Sequence, residues 1–285
     1  MQNEVWSPVV PTGRREALVE EFPGYLREAI FQWMYDAVKM YDEISEGWGS
    51  IPTTLFVDFQ NACRTNMGFQ AREYLDWKEK ILPQLRKIDD RTFTNLLDYL
   101  ASSTPFEPGT EHPLEYILSE GGSAWTIMRW NDIYARLTRR VPEGVTEAFH
   151  DVLSATDVAS RKLQEAWLDA YGPDPRASVA YSNAVVAVET AALTVIPVNK
   201  QDATLANLFS ILEAERPKWQ LVLRDSDKAP GAKSLAAMLR TLWRGHQSRH
   251  GRPDYTDATL EEARAAVVLA ATLVQWFTSG VIEPA

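Results

Sequence analysis

Apolar residues along this chain recur mostly at the i, i+3, i+4 spacing of a helix face, and seldom at the alternate spacing of a strand. Phe22, Tyr25, Leu26, Ala29, Ile30, Trp33, Met34, Ala37, Val38 and Tyr41 form one such stripe, with Pro23 near its first turn. This predicts a firm amphipathic helix, because proline's missing N–H is harmless only at a helix start. Further helices are expected near residues 53–66, 69–88, 91–101 and 125–140. Residues 102–113, with Ser103, Thr104, Pro105, Pro108 and Gly109, read as a loop, and so does Glu120-Gly121-Gly122-Ser123.

The second half is patterned more cleanly. Residues 146–170 read as one helix ended by Tyr171-Gly172-Pro173-Asp174-Pro175, and residues 177–195 as a long Ala/Val-rich helix stopped before Pro197. Residues 204–213 form a shorter one. Ser234 is the expected N-cap of a helix with core stripe Leu235, Met238, Leu239, Leu242 and Trp243. Thr259 followed by Glu262 is a capping box opening the last helix, and Gly280 suits the left-handed residue that ends it. Trp219 to Leu223 is the one short strand candidate. The expected fold class is all-α, without internal repeats.

Composition narrows the class further. The 285 residues, 45% hydrophobic and 24% charged, belong to an ordered globular chain of one large or two ordinary domains. Cys63 is the only cysteine, so neither an internal disulfide nor a thiolate metal cluster can form. Met1-Gln2-Asn3-Glu4 lacks the basic flank and apolar run of a signal peptide. The apolar stretch closest to a membrane span, residues 263–277, is short and carries Arg264 and Gln275. A cytoplasmic protein with no membrane partner is expected. The net charge of −10 opposes broad nonspecific binding to nucleic acid. Against that background Lys228, Lys233, Arg240, Arg244, Arg249 and Arg252 make a basic island without an acidic residue from 228 to 253.

Within the island, Leu242-Trp243-Arg244-Gly245-His246-Gln247-Ser248-Arg249-His250-Gly251 concentrates groups able to act on a phosphate. Arginine offers a permanently charged fork that matches phosphate oxygens, and histidine can take and give a proton near neutrality. Gly245 and Gly251 let the backbone turn sharply or approach a ligand closely. The structural alternative is that these side chains merely cap the last carbonyls of the helix before them. No Gly-rich phosphate loop, G-x-S-x-G, H-E-x-x-H or G-x-G-x-x-G is present. Glu147 and His150 have the E-x-x-H spacing of di-metal bundles, but no second copy accompanies them, so no metal and no cofactor is expected. His112, before Pro113, reads as a solvated loop residue.

Arg244-x5-His250 at a helix end resembles the R-x(4–6)-H element of the HEPN superfamily. The Ala-rich helix beginning at Glu261-Glu262-Ala263-Arg264 that follows it, together with the upstream Tyr181–Glu189 and Ala203-Thr204-Leu205, is similar to the C-terminal domain of abortive-infection proteins. Gly245 stands where that family usually has a polar residue such as Asn. The resemblance covers about residues 145–285 and implies a HEPN-like helical bundle there, after a helical N-terminal domain, residues 1–140, of unassigned role. It implies a metal-independent endoribonuclease or an RNA or nucleotide sensor in an antiphage (abortive-infection) or stress system, working as a homodimer. His250 would then be the acid/base and Arg244 the stabiliser of developing phosphate charge. Arg249 and His246 would contact substrate, His246 competing for the acid/base role, and Glu189 would hold the arginine or histidine from a facing helix. The alternative is an inactive scaffold acting through dimerisation. In that reading the N-terminal half recognises a protein or phage component.

Overall fold

In a computed structural model of the chain the described residues are 18–41, 50–104, 110–129, 134–226, 228, 230–245 and 256–285. Of Met40, Tyr41, Glu143, Gly144, Thr146, Glu147, Ala148, His150, Arg244 and Gly245 only the backbone is described. The described residues are mostly helical, but they also form three two-stranded antiparallel sheets, so the chain is not helical throughout. It divides after Arg140 into two units, each with its own core.

The first unit is organised on helix α1 (Gly24–Tyr41), whose stripe Leu26, Ile30, Met34 and Val38 is fully buried. Around it lie β1 (Ser50–Pro52), α2 (Thr54–Cys63), β2 (Tyr74–Asp76), α3 (Leu82–Leu85), α4 (Asp90–Ser103) and α5 (Pro113–Glu120). Phe22 and Phe31 meet the ring of Phe93 on α4 edge-on at 5.2 and 5.7 Å, a favoured aromatic geometry. Gly121, which ends α5, must lack a side chain, because a Cβ there would lie 2.4 Å from Leu26 Cδ1.

Three sequence expectations change here. Residues 69–88 are not one helix. Tyr74–Asp76 pairs with Ser50–Pro52, Asp76 then accepts the Glu79 N–H at 2.7 Å, and a wide π-type turn, Trp77–Ile81, leads into α3. Pro83 accounts for the widening, since its ring clashes with the carbonyl four residues back in a regular helix. Residues 125–140 form not a helix but the antiparallel pair β3 (Trp125–Arg129) and β4 (Ala135–Arg139). Ile127 and Leu137 face each other across that pair, and each gives its N–H to a carboxylate from a flanking helix. Glu115 on α5 accepts from Ile127 N at 2.7 Å, and Asp98 on α4 from Leu137 N at 2.9 Å. Arg140 and Arg136 neutralise these two acids at 2.8 and 2.7 Å. His112 does precede the helix as expected, but it is not solvated. That side chain is 5% exposed, caps α5 by accepting the Leu114 N–H on Nδ1, and lies 5.9 Å from the Trp33 ring.

The second unit contains α6 (Glu143–Ser154), α7 (Val158–Tyr171), α8 (Ala177–Val195), α9 (Leu205–Leu212), β5 (Trp219–Leu221), α10 (Gly231–Gly245), α11 (Leu260–Thr278) and β6 (Ile282–Pro284). The single helix expected over 146–170 is two, because Asp157 caps a fresh start by accepting the Ser160 N–H at 3.0 Å. α8 packs most extensively, against both α7 and α11. Buried alanines at 180, 184, 187 and 191 on α8, and at 263, 266 and 270 on α11, allow a close approach. α8 is also the one described helix long and apolar enough to cross a membrane by length and composition, in place of residues 263–277. Its burial between two neighbours explains that composition as a core helix's. Thr259 and Glu262 do form the capping box of α11, and Gly280 takes a left-handed φ of +77°. Ser234 is not the cap of α10. The helix starts at Gly231, and the Ser234 hydroxyl donates back to Pro230 O at 3.0 Å. The strand candidate at Trp219 is β5, which pairs with β6.

Two measurements check the first unit. Asp98→Ala strands the Arg136 guanidinium and the Leu137 N–H together, and is expected to cost about 2–3 kcal/mol in a denaturant titration. Burial, aided by the nearby Arg129 charge, lowers the His112 pKa from 6.5 to about 4. Between those values the unfolded chain binds the extra proton, so stability is full above about pH 6.5 and falls as pH drops toward 4, by up to about 3 kcal/mol. His112→Asn keeps a capping oxygen and should flatten that part of the wild-type profile; an unchanged slope would refute the assignment.

Candidate functional site

The Arg/His-rich segment joins α10 to α11, and the described residues on either side of it, Leu242 and Asp257–Ala258, bond to the first turn and a half of α8. On the incoming side the last described turn of α10 carries the carbonyls of residues 242–245. The buried Tyr181 hydroxyl donates to one of them, Leu242 O, at 3.2 Å. On the outgoing side the Ser178 hydroxyl donates to Asp257 Oδ1 at 2.8 Å and accepts the Ala258 N–H at 3.1 Å. Ser178 and Tyr181 are three residues apart and therefore share a face of α8. These contacts also fix helix directions. The starts of α8 and α11 lie together, so the two run parallel, while α10 approaches antiparallel to them.

The same end of the unit is closed by the turn from α7 to α8. Asp169, 6% exposed, holds Arg176 through Nε at 2.8 Å and Asn183 through its amide at 3.3 Å. The Arg176 side chain nevertheless remains 64% exposed, beside the start of α8. Arg264 donates to Ala170 O at 3.2 Å and lies 5.2 Å from the centre of the Tyr171 ring. Burial raises the Tyr181 phenol's pKa, and the Glu262 charge pushes it the same way, so its proton is firmly held for the bond to Leu242. Burial also raises the Tyr171 phenol, against the opposing pull of Arg264.

Of the residues singled out in the sequence, Arg244 sits on the last turn of α10 with its backbone described and its side chain outside the described residues. His246, Arg249 and His250 lie outside the described residues, as do the side chains of Glu147 and His150. Glu189 is placed elsewhere. Its Oε2 accepts the Leu205 N–H at 2.8 Å, which ties the start of α9 to α8. Eleven residues separate it from Ser178, about 16 Å along the helix, so α8 carries it away from the turn where the connector is held. Arg240 of the basic island is likewise engaged, paired with Glu213 at 2.5 Å and stacked over Phe209 at 4.6 Å. Among the described residues no group of three or more His, Cys, Asp or Glu could hold a metal ion.

Sequence reading missed Ser178, Tyr181 and Asp257 as parts of this site. Their partners lie between 61 and 80 residues away, so no local spacing marks them. No family model, characterised protein or solved structure matches the chain.

The placement of Glu189 is testable. Glu189→Ala leaves the Leu205 N–H without its acceptor and is expected to lower stability by about 1–2 kcal/mol in denaturant. Glu189→Gln retains a carbonyl acceptor and should recover most of that loss.

Proposed function

We propose that the second unit is a HEPN-like module that acts on RNA through the connector between α10 and α11. The observation that supports this reading is that the described residues before and after the Arg/His-rich segment, Leu242 on one side and Asp257 and Ala258 on the other, are bonded to one turn of a packed helical core. A catalytic loop must be mounted in this way if its side chains are to be preorganised. Arg176, exposed beside the same turn, adds positive charge where a phosphate would lie.

In this reading His250 takes the proton from an RNA 2′-hydroxyl, with His246 competing for the role, and the oxygen attacks the adjacent phosphorus. The 5′-oxygen leaves and is protonated. Arg244 and Arg249 balance the charge that builds on the phosphoryl oxygens, and the products are a 2′,3′-cyclic phosphate and a 5′-hydroxyl. The reaction asks nothing of a metal. The unit works as a homodimer in the cytoplasm, where Cys63 stays a thiol, and serves antiphage or stress defence. The first unit supplies recognition of a protein or phage component.

The test is cleavage of a labelled structured RNA in EDTA by the purified chain beside His250→Ala and Arg244→Ala. Wild-type cleavage with a cyclic-phosphate end is expected, falling at least 100-fold in either variant. Cleavage by His250→Ala at the wild-type rate would overturn the assignment of the base. RNA binding at the connector without cleavage would make the unit a sensor, and neither binding nor cleavage would leave a scaffold.

A further inference from the structure

A cleft of about 430 Å³ opens in the first unit between α1 and the wide turn that leads into α3. That volume is within the range of small-molecule sites. Phe31 and Tyr35, four residues apart on one face of α1, line one wall. Trp77 and Leu82 line the other, and the π-type turn is what brings them together. The Leu82 N–H closes on Trp77 O, five residues back, so the two residues lie one wide turn apart on a shared face. In an α-helix, residues at that spacing face different ways. Trp77 meets Tyr35 edge-on at 5.4 Å, and both Phe31 and Trp77 belong to the buried core, which holds the apolar lining in place.

The charges around this lining are of both signs. Glu28, also on the cleft, is paired with Arg86 at 2.8 Å. Asp76 and Lys78 flank Trp77 in sequence, are exposed, and both line the cleft. Among the described residues Lys78 makes no ion pair or hydrogen bond, and Asp76 gives one carboxylate oxygen to the Glu79 N–H at 2.7 Å. An anion and a cation therefore stand beside one aromatic wall, unpaired with each other and with bonding capacity left over.

We propose that this cleft binds a free aromatic amino acid. Asp76 takes the α-ammonium, Lys78 takes the α-carboxylate, and the aromatic side chain packs against Phe31, Tyr35, Trp77 and Leu82. A zwitterion matches two opposite charges that do not pair with each other. A phosphate would face Asp76 and Glu28 with the wrong sign, a simple organic cation would face Lys78, and an uncharged hydrocarbon would engage neither charge. The site lies wholly in the first unit, so it stands or falls apart from the ribonuclease reading of the second.

The test is a ligand-observed NMR titration of the full chain with L-phenylalanine. Beside it run phenylalaninamide, which lacks the carboxylate, and N-acetylphenylalanine, which lacks the ammonium. L-Phenylalanine is expected to bind with a Kd of about 0.1–1 mM, and each derivative about fivefold more weakly or worse. Lys78→Ala should weaken L-phenylalanine by about fivefold or more and leave phenylalaninamide at its wild-type affinity or tighter. Asp76→Asn should weaken L-phenylalanine as much and spare N-acetylphenylalanine. Neither change threatens the fold, since Lys78 is exposed and Asp76→Asn keeps an oxygen for the Glu79 N–H. No binding of L-phenylalanine at about 10 mM would overturn the site, as would binding that neither variant weakens. Derivatives that bind as tightly as L-phenylalanine would overturn the zwitterion match.

Discussion

The close packing of α8 against α7 and α11 is the constraint from which the rest of the second unit follows. α8 carries a single charged residue in nineteen, Glu189, and alanines recur along its buried side. A helix with so little charge and so much Ala and Val gains its stability by packing against neighbours, and small side chains let those neighbours come near. α11 brings its own buried alanines to the same core and runs parallel to α8, so their first turns coincide. Because two parallel helices need a long connection, the chain between them must form α9, β5 and α10 and return to the end from which α8 set out. Leu242 on α10 and the residues just before α11 meet Tyr181 and Ser178 as a consequence of that return.

Polar groups then refine what packing allows. Glu189 accepts from the start of α9, Tyr181 donates to the Leu242 carbonyl of α10, and Ser178 accepts from the Ala258 N–H before α11. Each bond satisfies a backbone group at a helix terminus, where an unpaired donor or acceptor is costly if buried. The first unit uses the same device on a sheet. Asp98 and Glu115 each take one outward N–H of the β3–β4 pair and one arginine, so both edges are occupied at the same register and further strand pairing there is blocked.

Much of this architecture is legible along the chain. The stripe of α1, the apolar run of α8, the capping box at Thr259 and the left-handed Gly280 are local signals, each produced by a few neighbouring residues and each found in place. The misreadings share a different origin. Trp125–Arg139 carries enough apolar residues to look helical, and its strands are held by two acids 12 and 39 residues away that accept their N–H groups. His112 looks like a loop histidine until Trp33, from a distant helix, covers it. The residues of the Arg/His connector stood out by composition alone, whereas Ser178, Tyr181 and Asp257, whose bonds cross 61 to 80 residues, carry no local mark.

By itself, therefore, the sequence determined the ends of α1, α4, α8, α9 and α11 to within a residue or two, and that a basic segment lies between α10 and α11. These properties depend on spacing, propensity and caps within a turn or two. Only the tertiary structure decided that residues 125–139 pair as strands, that Glu189 bonds to the start of α9, and that Leu242, Asp257 and Ala258 meet one turn of α8. These depend on hydrogen bonds between groups far apart in the chain, and such bonds have no partner to name until the core has brought them together.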